Sequence, residues 1–199
     1  MVTTLAGIEG SGELYLGILK IICGPRREGW QRDIWDLMCH KCPYNWQVDY
    51  YHYTLVDIIY RGLEVPQGLD FTFMRADVFD ALDCHNPGID MIDTIVCSDG
   101  IEHLIREQGL RLIQQMEEHG SKQIIFTPLG ELSVTKGNHP DQHKSGWLPE
   151  QFSEWDCIVL PNFHPQLNCG AFFAYNCSPE EKQRIYNEIT QKYVQSRID

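Results

Sequence analysis

Hydrophobic and polar positions alternate along the chain in blocks that read by turns as strands and helices. The run Leu16 to Cys23 is almost continuously apolar and closes on Gly24-Pro25, which predicts a first strand. Residues Glu28 to Cys39 follow, with Trp30, Ile34, Leu37 and Met38 at helical spacing, and predict a helix. Tyr50 to Ile59, rich in Tyr, Thr, Leu, Val and Ile, predicts a second strand. Phe71 to Met74 is the third and closes on Arg75-Ala76-Asp77. Met91 to Cys97 is the fourth, apolar enough for burial on both faces. A helix follows from Glu107 to His119, with Leu112, Ile113 and Met116 as its stripe and Gly120 past its end.

Ile124 to Thr127 predicts a fifth strand, and a long polar stretch runs on from Gly130 to Gly146. Cys157 to Leu160 and Ala171 to Tyr175 are two further strands, close enough to pair. Ser178-Pro179-Glu180-Glu181 is a capping box that opens a last helix over about 179–197. The pattern predicts an α/β, Rossmann-like, doubly wound and mostly parallel seven-stranded sheet with a C-terminal antiparallel hairpin. No repeat or linker divides the chain, so residues 1–199 are expected to form a single domain with its core over about 16–176.

Composition narrows the function. The chain has 199 residues, with 16 Lys and Arg against 28 Asp and Glu and a net charge of −12. That field repels a phosphate backbone, so neither nucleic acid nor an anionic membrane is an expected partner. The N-terminus has no basic stretch before its apolar run, which argues against a secretory signal. Eight cysteines spread over a chain of this size read as reduced thiols, and a cytoplasmic location is expected. Aromatic content leaves room for a homodimer surface. Cys39-x-x-Cys42 has no second pair, and His139, Asp141 and His143 have spacing compatible with a metal, but loop histidines mostly bind none, so no metal is assigned.

In a doubly wound sheet the ligand lies beyond the carboxyl ends of the strands. The predicted second strand ends in Asp57, which suits a ribose diol because a carboxylate accepts from both hydroxyls. Asp77 ends the third, next to Val78, where it can accept from an adenine amine or simply cap a helix. Ser98 and Asp99 end the fourth. These acids point to an adenosine-containing ligand.

The run Asp93 to Leu104 (DTIVCSDGIEHL) resembles the strand-four signature of class I S-adenosylmethionine-dependent methyltransferases. The stretch Thr127 to Phe152 (TPLGE…GNHPDQHKSGWLPEQF) resembles a subgroup of that family, and Gly170 to Tyr175 resembles its last strand. The resemblance implies S-adenosylmethionine as cofactor, S-adenosylhomocysteine as product, and a small-molecule substrate. The family's first loop is normally acidic-x-Gly-x-Gly-x-Gly. Set against Leu19 to Arg26, only Gly24 survives, with Lys20 in place of the acid and Ile22 and Arg26 in place of glycines. By that alignment Cys23 and Gly24 join Asp57, Asp77, Val78, Ser98 and Asp99 as cofactor-binding residues. The altered loop supports an alternative, a non-catalytic methyltransferase-like binding or scaffold protein.

The polar stretch from Gly137 to Trp147 is long for a connection and suits a substrate-covering loop. Asn138, Gln142, His143 and Trp147 are its candidate substrate contacts. His103 and His143 are the candidate acid–base groups. The expected function is methyl transfer from S-adenosylmethionine to a small molecule.

Overall fold

The computed structural model of the chain describes residues 1–25, 32–40, 48, 52–59, 68–131 and 142–195. One mixed sheet carries the strands β1 (Val2–Thr4), β2 (Asp33–Leu37), β3 (His52–Asp57), β4 (Phe71–Arg75), β5 (Thr94–Ser98), β6 (Gln123–Pro128), β7 (Asp156–His164) and β8 (Cys169–Asn176). Their order across the sheet is β1-β7-β8-β6-β5-β2-β3-β4. From β6 to β4 all neighbours are parallel, while β8 runs antiparallel to both β6 and β7. The expected α/β, Rossmann-like sheet with its antiparallel hairpin is therefore present. An eighth strand, β1, adds to its edge by pairing parallel with β7.

The N-terminal third reverses the sequence expectation. The apolar run ending at Cys23 is not a strand but the helix α1 (Gly12–Cys23). Ser11 caps it by accepting the Leu14 N–H at 3.1 Å, and Gly24 closes it at φ 79. Leu14, Tyr15, Ile18, Leu19 and Ile22 bury one face at helical spacing, and Lys20 faces solvent. The segment expected to be helical supplies β2, a five-residue strand DIWDL that packs between β3 and β5. Two aspartates in so short a strand hide its apolar alternation, and pairing on both edges outweighs that local weakness.

Helices cover both faces. On one lie α1 and α4 (Pro179–Ile189), and α4 runs on into a wider π turn over Thr190–Val194. Their core includes Ile18, Ile22, Ile124, Phe126, Phe173 and Ile185. On the other face lie α2 (Val78–Cys84) and α3 (Arg106–His119), over Leu82, Ile95, Leu112, Met116, Trp147 and Phe172. The last carbonyls of α1 are satisfied from the sheet and α4. Lys122, 3% exposed, donates to the carbonyls of Ile22 and Cys23 at 3.1 and 3.0 Å and pairs with Glu181 at 2.7 Å. Arg184 donates to the carbonyl of Ile21 at 2.9 Å. Among the described residues no helix is long and apolar enough to cross a membrane.

Candidate active site

Chain order reverses between β2 and β5. The chain runs outward from β2 through β3 to β4, then returns to β5 on the other side of β2. At the carboxyl ends of these strands lies a cavity of about 380 Å3. Met38 and His40 line it from the end of β2, Asp57 and Ile59 from β3, and Asp77 and Val78 from β4. Asp99, His103 and Leu104 follow β5, with Gln108 of α3 and Lys144 at the far wall. This is where such sheets bind ligands.

Backbone strain gathers around the cavity. The described non-glycine residues with left-handed φ are Met38 (58°), His40 (47°), Asp99 (47°) and Asn168 (49°). Three of these four line the cavity. Each such residue costs about 1–2 kcal/mol, which is tolerated where function dictates the backbone path. The left-handed positions also correct the alignment of the first loop. Since β2 and not Leu16–Cys23 is the central strand, the acidic-x-Gly-x-Gly pattern falls on Asp36-Leu37-Met38-Cys39-His40. The acid is then present as Asp36, 1% exposed, and Met38 and His40 stand at glycine positions while keeping the backbone turn that glycine favours. Cys42, at the third position, lies outside the described residues.

Cys23 and Gly24 consequently leave the site. Lys122, which precedes β6, holds the Cys23 carbonyl, so both residues lie at the amino-terminal edge of the sheet, opposite the cavity. Ser98 also turns away from it, its hydroxyl 2.6 Å from the Tyr15 hydroxyl of α1.

Asp57 is gripped by the backbone on both oxygens. Oδ2 accepts the N–H of His40 at 2.9 Å and Oδ1 that of Ile59 at 2.8 Å. Each oxygen keeps a second lone pair for a ligand hydroxyl. Asp77 caps α2 by accepting the Phe79 N–H at 2.9 Å through Oδ1, so the capping role foreseen for it is present, on a residue that also lines the cavity. Asp99 is exposed to the cavity, and the protein around its carboxyl raises it above the ordinary carboxylate range.

Behind Asp99 a short 3₁₀ turn, Ile101–His103, presents Glu102 and His103. Glu102 is 2% exposed and accepts from the Thr127 hydroxyl at 3.0 Å. Burial, with Asp99 nearby, pushes its carboxyl well above the usual range. The Glu102 carbonyl accepts the N–H groups of Lys144 and Ser145 at 2.7 and 3.2 Å. Those bonds staple residues 142–145 to the turn. The rings of His103 and His143 then meet edge to face at 5.0 Å, and the His103 Nδ1 lies 3.3 Å from the Gln142 carbonyl.

Trp147 belongs to the core. It is fully buried, donates to the Ser145 hydroxyl at 2.9 Å, and lies under the Arg106 guanidinium at 4.1 Å. That placement removes it from the expected substrate contacts. Asn138 lies outside the described residues. Met38, His40, Gln108 and Lys144 were not singled out from sequence. For His40 the clue was present, in the acidic-x-Gly-x-Gly spacing that begins at Asp36.

No family model and no curated protein sequence matches the chain. Solved structures do. The chain is similar to the small RNA methyltransferase HEN1 at 15% identity and a TM-score of 0.52, over 82% of this chain and 24% of that one. It is similar to the methyltransferase domain of bacterial CtHen1-C at 16% identity and a TM-score of 0.52, over 84% of this chain and 97% of that one. A third is the plantazolicin methyltransferase BpumL in complex with SAH, at 11% identity and a TM-score of 0.52, over 83% of this chain and 84% of that one. The fold is that of the class I methyltransferases. In that fold the cavity described above lies at the switch point of the sheet.

Proposed function

We propose that the chain binds S-adenosylmethionine in the cavity beside β2 and transfers its methyl group to a small molecule. The observation that carries this reading is the convergence of Asp57, Asp77 and Asp99, from the ends of three parallel strands, on one cavity bordered by left-handed Met38 and His40. The BpumL complex with SAH, on a similar fold, supports the same cofactor. Asp57 offers lone pairs to a ribose diol, and Asp77 with Val78 offers an edge to the adenine. When bound, the cofactor supplies an electrophilic methyl on a sulfonium, a cation that acidic walls favour. The chain's own contribution is to hold an acceptor in line with that methyl and to keep water out. His103 lines the cavity with the His143 ring 5.0 Å from its own, and in this reading the pair takes a proton from the acceptor. A net charge of −12 favours a neutral or cationic acceptor over a polyanion.

Thermal unfolding of the full chain with added S-adenosylmethionine or S-adenosylhomocysteine tests the reading. A saturable rise in melting temperature is expected from both. No rise at millimolar cofactor would overturn it.

A further inference from the structure

Gly100, directly after Asp99, has no side chain, and Met38, just past β2, has one where its left-handed backbone favours glycine. The two positions touch. A Cβ on Gly100 would meet the Met38 Cβ at 3.1 Å, the Met38 Sδ at 3.3 Å and the Cys97 Sγ at 2.8 Å. We infer that Gly100 is a specificity-determining residue of the cofactor cavity, because the room it leaves holds the Met38 side chain back from the space a cofactor needs. The inference rests on the reading of the cavity as a cofactor site and deepens it.

Gly100 is buried and carries a φ of −130°, so the left-handed freedom of glycine is not what the position uses. What it uses is space. Met38 lines the cavity on one side. On the other it packs against the apolar layer that holds Cys97 and Ile101, both fully buried. A close-packed layer yields little, so the free side of Met38 is the cavity. A side chain at position 100 would therefore drive the thioether toward a ligand and not deeper into the core.

Neither backbone is free to move apart. Leu37 pairs with Cys97 in the parallel register of β2 and β5, which sets the separation of the two strand ends. Asp57 holds the loop after β2 through the N–H of His40, and the Phe126 carbonyl holds the N–H of Asp99 at 2.9 Å. Any crowding between positions 38 and 100 must then be relieved by side chains. Methionine suits the place, since its unbranched and flexible thioether can lie along a glycine. The alternative of a chain without normal cofactor binding draws on the glycines missing from the loop. With Gly100 beside it, a side chain at 38 leaves the cavity of about 380 Å3 standing.

A double-mutant cycle on the full chain tests the pair, with Gly100→Ala, Met38→Gly and their combination. Each protein is melted alone and titrated calorimetrically with S-adenosylhomocysteine. In the parent, Gly100→Ala should lower the melting temperature by about 3 °C or more. It should also weaken S-adenosylhomocysteine about tenfold. In the Met38→Gly background two of the three nearest contacts at the new Cβ are gone, and the Cys97 thiol gains space to turn into. The same change should there cost less than about half as much in both readings. Equal costs in the two backgrounds overturn the pair. A lower melting temperature with unchanged affinity overturns the role in the cavity and leaves packing alone. If Gly100→Ala unfolds the parent, it should still give a folded chain in Met38→Gly, and failure to fold in both overturns the inference. If the parent itself binds no S-adenosylhomocysteine, the cofactor reading falls, and the melting temperatures alone decide whether the two positions are matched.

Discussion

The Asp57 carboxylate accepts the backbone N–H of His40 at 2.9 Å, tying the end of β3 to the loop that follows β2. One side chain thus positions the strained loop and offers lone pairs to the cavity. Asp57→Ala is expected to lower stability by about 1–2 kcal/mol through loss of two backbone hydrogen bonds to a carboxylate. It should also weaken S-adenosylmethionine at least about tenfold, as read by calorimetry. Reduced stability with unchanged cofactor affinity would leave Asp57 only its structural role.

His40 holds a left-handed φ of 47°, a backbone conformation that glycine adopts more readily. His40→Gly is expected to melt no lower than the parent, because relief of the backbone offsets the added chain entropy. His40→Val should melt lower, by about 1–2 kcal/mol, since β-branched residues tolerate that region poorly. Chemical denaturation of the two variants side by side checks the ordering, and equal stabilities would contradict the strain.

Gly109, on α3, makes room for Trp147. A Cβ at this position would meet the Trp147 ring at 2.3 and 2.9 Å. Because the indole is fully buried it has no easy retreat. Gly109→Ala is expected to destabilise by about 1–2 kcal/mol even though alanine is the better helix former. Urea unfolding followed by tryptophan fluorescence measures it.

Nδ1 of His85, just past α2, lies 3.2 Å from Nδ1 of His119 at the end of α3. Such a contact needs at least one neutral ring. Burial, followed by His119, holds the proton affinity of His85 below its ordinary value of 6.5, while Asp90 pulls the other way. The unfolded chain therefore takes up that proton more readily than the folded one. Its contribution to stability is present above about pH 6.5 and is lost as pH falls below that value. His85→Asn should flatten the stability profile between pH 7 and about pH 5, relative to the parent, in denaturant titrations. Parallel profiles would show that the pair is not titrating.

Six of the eight strands among the described residues and the helices α3 and α4 are legible in the sequence, because each has its own apolar period and its own punctuation. Ala171 to Tyr175 is buried throughout, as its composition suggests. Asp57, Asp77 and Asp99 were legible for the same reason, as acids that close apolar runs. The 3₁₀ turn also follows where the strand-four signature places Glu102 and His103.

What the sequence determined by itself was thus the α/β alternation and the acids at its strand ends. Tertiary structure alone decided which N-terminal segment enters the sheet. Leu16–Cys23 carries more apolar surface than Asp33–Leu37, but the shorter segment can pair on both edges, with Leu55 and with Val96 opposite its buried Asp36. The longer one gains more by laying a helical face over the sheet. The meeting of Glu102 and His103 with His143 was likewise decided in three dimensions. It depends on two backbone bonds between segments far apart in the chain, and no local spacing encodes them.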